Sequence, residues 1–153
     1  MNIAIVNRQR VRKINLRLLK QITRALLAEL ELEESEIGIC LIAAPEMTRL
    51  NETFLKHKGS TDVITFDHSD PSSQTPDPGP NIHGEIFICV DEAVLQARKF
   101  GTNWPSEVVR YLVHGVLHLL GFDDSSAGAR RQMKREENRR LGEITRRFPL
   151  SKL

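Results

Sequence analysis

The segment 111–124, YLVHGVLHLLGFDD, constrains this chain more than any other. Val113, Val116, Leu117, Leu119 and Leu120 make a helix over 105–120 apolar nearly all round, and such a helix belongs in the middle of a fold. Yet it carries two histidines. His114 and His118 are four apart, so they leave one face of the helix about one turn apart, the spacing with which two imidazoles reach one metal. Two buried imidazoles need partners, and a single ion satisfies both. Gly121 predicts the helix stop, because it can take the left-handed conformation that reverses the chain. Asp124, three residues further on, is then free to swing back toward the histidines. The pattern H-x-x-x-H-x-x-G-x-x-D offers two nitrogens and one oxygen, and three protein ligands leave a fourth position for water, as in catalytic zinc sites. Two core histidines bonded to backbone are the bland alternative, and they leave the glycine turn and the carboxylate unexplained. Metzincin proteases share the spacing, but there a glutamate base follows the first histidine. Here that position is Gly115, which argues against a metalloprotease and permits close approach of another backbone or of a substrate.

Other elements must wrap this helix. Near-alternating Ile3, Ile5 and Val6 predict a strand at 1–6. Asn15 is placed to cap a helix with Leu16, Leu19, Ile22, Leu26 and Leu30 on one side, ending near 33–36. The run IGICLIA at 37–43 reads as an interior strand, followed by a short helix over 45–54. Strands are predicted at 62–66 and 85–90, then helices at 91–100, 105–120 and 126–146. Between the last two strands, 68–81 holds four of the seven prolines and reads as a flexible surface loop. The expectation is one α+β domain over 1–153: a small mixed sheet of about four strands against about five helices, with the metal site on a buried helix.

The net charge of +2 conceals segregation: residues 1–24 carry +7, 125–153 carry +6, and 25–124 carry −11. Basic ends suit a polyanion such as RNA, although solvated helix faces look the same in sequence. Two cysteines are too few for a disulfide scaffold, no apolar run reaches the roughly 20 residues of a membrane helix, and charge does not precede the apolar N-terminal stretch. A cytoplasmic protein without membrane partners is expected. Cys40 and Cys89 read as buried structural residues, His57 and His68 as surface residues, and Trp104 as a packing residue. Asp123 divides evenly between a turn and a place behind the ligands, Thr61 and Asp62 between a turn and substrate contact, and His83 is an outside candidate near the site.

HGVLHLLGFDD resembles the signature of the YbeY family of zinc-dependent endoribonucleases and rRNA maturation factors, H-G-x-L-H-L-x-G-[FYW]-D-H. NETFLKHKGSTDVITF at 51–66 is similar to the family's N-x-x-[FY]-R…T-[DN]-V-L-[ST]-F, and HGEIFIC at 83–89 to its L-G-[DE]-I-x-I-[SC]. The resemblance spans about residues 1–145. It implies one Zn²⁺ per chain held by His114, His118 and Asp124, the last standing where the family usually has histidine. It further implies single-strand-specific cleavage of RNA in 16S rRNA 3′-end processing and ribosome quality control, with the small ribosomal subunit and one of its proteins as partners. Where the family has a basic residue after the aromatic, this chain has Leu55, with Lys56 beside it. Lys56 and His114 are therefore the catalytic candidates. The alternative is a ribosome-assembly factor that keeps the metal but does not cut.

Overall fold

The computed structural model describes residues 1–70 and 81–153; the Pro-rich stretch expected to be a loop falls, from 71 to 80, outside the described residues. Four strands, β1 (Asn2–Asn7), β2 (Glu36–Ile42), β3 (Val63–Asp67) and β4 (His83–Cys89), form one sheet in the order β1-β2-β4-β3. The β1–β2 and β2–β4 pairs are parallel and β3 runs antiparallel to β4, so the sheet is mixed as the sequence predicts. Five α-helices accompany it: α1 (Leu16–Glu29), α2 (Ala44–Leu50), α3 (Val90–Phe100), α4 (Trp104–Leu119) and α5 (Ala127–Arg147).

Two apolar clusters use the two faces of the sheet. Ile37, Ile39 and Leu41 of β2, with Ile86 and Ile88 of β4, meet Leu19, Ile22 and Leu26 of α1 and the valines of α4. The intervening Ile42, Phe87 and Cys89 pack under Met47 of α2 on the other side. This two-sided burial is why 37–43 reads as an unbroken apolar run. Each buried aliphatic side chain contributes about 1.5–3 kcal/mol, against about 0–1 for an exposed ion pair. The clusters, rather than the many Arg–Glu pairs on α5, hold the fold.

Two boundaries differ from expectation. The first helix ends at Glu29 instead of near 33–36, in a Schellman turn. Glu31 is left-handed at φ 58, its N–H donates to the Ala28 carbonyl, and Leu32 N–H donates to Leu27. Leu32, fully buried, drives that reversal. The helix expected at 45–54 splits at Leu50 into α2 and a π-helical turn, Asn51–Leu55. Buried Asn51 causes the widening: its carbonyl accepts from Lys56 and His57, and its Nδ2 donates to Gly59 O at 2.8 Å.

At the centre lies α4, buried from Pro105 to Leu117 apart from the partly exposed Ser106, Arg110 and His114. A Cβ at Gly115 would stand 2.7 Å from Ile86 Cγ2, far inside contact distance, so the helix axis lies as close to β4 as it does only because this residue is glycine. Gly115→Val should therefore destabilise the protein by about 1–3 kcal/mol through overpacking. Urea unfolding checks this, and a midpoint equal to that of the parent chain would show that the helix has room to lift.

Candidate metal centre

His114 and His118 leave α4 one turn apart, with ring centroids 4.7 Å apart. After Leu119 the helix closes in a second Schellman turn: Gly121, at φ +102, donates to His118 O and Phe122 donates to Leu117 O, both at 3.0 Å. The reversal returns Asp124 to the histidines, and ligand atoms of His114, His118 and Asp124 all lie within 4.8 Å of one another. Zinc with bonds of about 2.1 Å in a tetrahedron needs ligand atoms about 3.4 Å apart. The three donors thus stand within a small side-chain adjustment of ligating geometry, and the fit to a metal is good.

The imidazoles are prepared for a cation. Burial and the neighbouring His114 ring hold His118 below the ordinary imidazole range, and the nearby Asp124 carboxylate and a bond to the Phe122 carbonyl only partly oppose this. His118 is therefore neutral at pH 7, with a lone pair available. His114 Nδ1 lies 2.9 Å from Glu137 Oε2. With Glu137 ionised, Nδ1 carries the hydrogen and the other ring nitrogen is left for the metal. Glu137 is only 7% exposed. Burial pushes its carboxyl up, but the bonds from His114 and Arg110 outweigh this and leave it below the usual carboxylate range. Arg110 bridges Glu137 at 3.0 Å and Asn138 at 2.8 Å.

A cleft of about 800 Å³ opens over this group. Its floor is α4, with His114, Arg110 and Tyr111; α3 supplies Gln96 and Phe100, and the α5 side supplies Arg130, Arg131 and Lys134. Asp62 and Asp124 also line it. Arg130 donates to the Asp124 carbonyl at 3.2 Å and so steadies the ligand turn.

The other candidates fall into place around this cleft. Lys56 is exposed and left-handed at the end of the π-helical turn, outside the cleft lining. Asp123 Oδ1 accepts from Ser125 N and Oγ, a turn role. Asp62 accepts from Val63 N, a local turn role, and also lines the cleft. Trp104 packs against the core. His57 is exposed, His68 faces Glu85 at 3.3 Å, and His83 faces Glu36 at 3.5 Å, away from the cleft lining. Cys89 is buried, Cys40 half-buried, and burial pushes both thiols up. Sequence reasoning missed Glu137, although a signal existed. It shares the buried stripe of α5 with Met133, Leu141 and Ile144, and an acid in such a stripe demands a partner.

The outline so defined is an α+β domain with a three-donor candidate metal group at the end of a buried helix, beside a cleft lined by charges of both signs, with Arg130, Arg131 and Lys134 on its α5 side. The family model "Endoribonuclease YbeY" matches residues 1–145, and the chain belongs to that family. A Myxococcus xanthus protein named "Endoribonuclease YbeY" is 39% identical over 127 residues, which is 83% of this chain and 42% of that one. A namesake from Azobacteroides pseudotrichonymphae is 34% identical over 133 residues, 87% of each chain. The fold is shared with the solution structure of TM1509 from Thermotoga maritima at a TM-score of 0.64 and 23% identity, covering 93% of this chain and 88% of that one.

Replacing His114 or His118 by alanine is expected to abolish stoichiometric metal, read by elemental analysis of the purified protein, whereas Asp124→His should retain it. Metal retained in both alanine variants would dismiss the site. Glu137→Gln should keep the fold and weaken metal affinity about 10- to 100-fold in chelator competition, as the loss of a partner behind a ligand does elsewhere.

Proposed function

We propose that this chain is a zinc-dependent endoribonuclease that cleaves single-stranded RNA, acting in 16S rRNA 3′-end maturation and ribosome quality control on the small subunit. One observation carries the reading: ligand atoms of His114, His118 and Asp124 gather within 4.8 Å of one another, and His114 and Asp124 line a cleft together with Arg130, Arg131 and Lys134. A nitrogen–nitrogen–oxygen donor set suits zinc, one ion per chain. Bound there, zinc supplies a charge beside the scissile phosphate and a water acidified toward neutral pH.

The chain's own residues do the rest. Glu137 keeps His114 in one orientation, so the ligand is in place before substrate arrives. Arg130, Arg131 and Lys134 draw phosphates into the cleft without reading sequence. Lys56, although outside the cleft lining, is the candidate cationic partner that reaches a phosphate oxygen from beside Leu55. A metzincin-type protease is disfavoured by packing, since the position that its glutamate base would need is pressed against Ile86. Among the described residues no helix is long and apolar enough to cross a membrane.

Single-turnover cleavage of a small-subunit rRNA fragment tests the reading. Metal-loaded protein should cut, and chelated protein should stop cutting while keeping most of its affinity, because affinity comes from phosphate contacts. Lys56→Ala should lower turnover and Leu55→Arg should raise it. Reversing Arg130, Arg131 and Lys134 to glutamate should flatten the dependence of log affinity on log salt by about 0.7 for each phosphate no longer neutralised. Cleavage indifferent to chelation would sink the enzymatic reading. RNA binding without any cleavage would favour the assembly factor.

A further inference from the structure

The cleft has a second chemical character that metal and phosphates leave unused. Phe100 ends α3 with 66% of its surface exposed, more than any other large apolar side chain among the described residues. An apolar ring left in water forgoes the stabilisation that burial provides, and this one lines the cleft that also holds His114. Gln96, one turn earlier on α3, lines the same cleft with an amide able both to donate and to accept. Lys99 Nζ lies 5.4 Å from the centroid of the Phe100 ring, a cation beside the aromatic face.

The other exposed aromatic differs. Phe54, 59% exposed, packs edge-on against Phe66 at 5.5 Å and stands outside the cleft lining. Among the exposed large apolar side chains of the described residues, Phe100 alone lines the cleft that also holds His114 and Asp124. The cleft lining therefore combines Phe100 and Gln96 of α3, Arg130, Arg131 and Lys134 of α5, and His114 and Asp124 of the metal group. A ligand matching all three has a flat π face, hydrogen-bonding edges and an adjoining anion. That describes a nucleotide.

We propose that Phe100 is a stacking platform for an unpaired nucleobase next to the phosphate at the metal group, with Gln96 meeting the base edge. The proposal rests on the RNA reading above and deepens it. In a duplex, both faces of a base are already stacked on its neighbours. Only a base outside a helix has a face to offer, so Phe100 makes the cleft selective for single strands. Because every base has a π face, the platform is tolerant of sequence.

The test is fluorescence anisotropy on metal-loaded protein, using a short phosphorothioate-linked single-stranded RNA, its duplex, and a single strand with abasic positions. Phe100→Leu keeps apolar volume and removes the π face. It should weaken single-strand binding about 5- to 100-fold, while leaving duplex and abasic binding within about twofold of the parent. Phe100→Trp should restore single-strand affinity and show an indole quench on binding beyond that of Trp104. Equal single-strand affinity of parent and Phe100→Leu overturns the platform alone, as does an equal loss on all three ligands. A parent chain that binds none of them overturns the RNA reading and the platform together.

Discussion

The contact between Gly115 and Ile86 is the constraint from which the rest of the molecule follows. It seats α4 against the central strand β4 more closely than any residue with a side chain at that position would permit. Once α4 lies there, its remaining faces receive α3 and α5, and the histidines on either side of the glycine project at the edge of the core rather than into it. His114 and His118 remain partly exposed for this reason. The same glycine that closes the packing removes the position from which a protease of similar spacing would draw its base. One steric fact serves both the fold and the choice of chemistry.

Glu137 shows how the site is held at some cost to the core. A carboxylate in the apolar stripe of α5 forgoes the burial that a leucine would contribute, about 1.5–3 kcal/mol. Its compensation is a set of charge-assisted bonds to His114 and Arg110, and removal of one partner of such a buried set is typically costly, about 3–5 kcal/mol. Apolar packing alone would stabilise α5 at least as well. An ionised acid, being acceptor-only, settles which nitrogen of His114 carries its hydrogen, which an apolar residue could not do. The arrangement is better explained by ligand orientation than by stability.

The charge segregation acquires a location. Much of the positive C-terminal segment is on α5, where Met133, Glu137, Leu141 and Ile144 turn inward and most of the arginines outward. Several of those pair with acids: Arg139 with Glu136 and Glu143, Arg147 with Glu29. Arg130 and Arg131, nearer the start of the helix, line the cleft and form no ion pair with a side chain among the described residues. A basic composition therefore becomes a directional feature at one end of one helix.

Much of this was legible in the sequence. Apolar period and charge marked the four strands and five α-helices, and the histidine spacing with Gly121 and Asp124 marked the candidate metal group, because these signals are local: a helix repeats every 3.6 residues, and a Schellman turn spans six. The misjudged helix ends had non-local or concealed causes, burial of Leu32 in one case and the Asn51–Gly59 hydrogen bond in the other. Glu137 stood in a stripe that signalled a need for a partner, but the partner is 23 residues away on another helix. Phe100 and Gln96 carried no signal at all, since a cleft exists only once α3 and α5 have both docked on α4. The sequence by itself determined the candidate ligands and the elements that bear them, through spacings within single helices and turns. What faces the ligands, which cations reach them and which aromatic stands beside them were decided only by packing between elements distant in the chain.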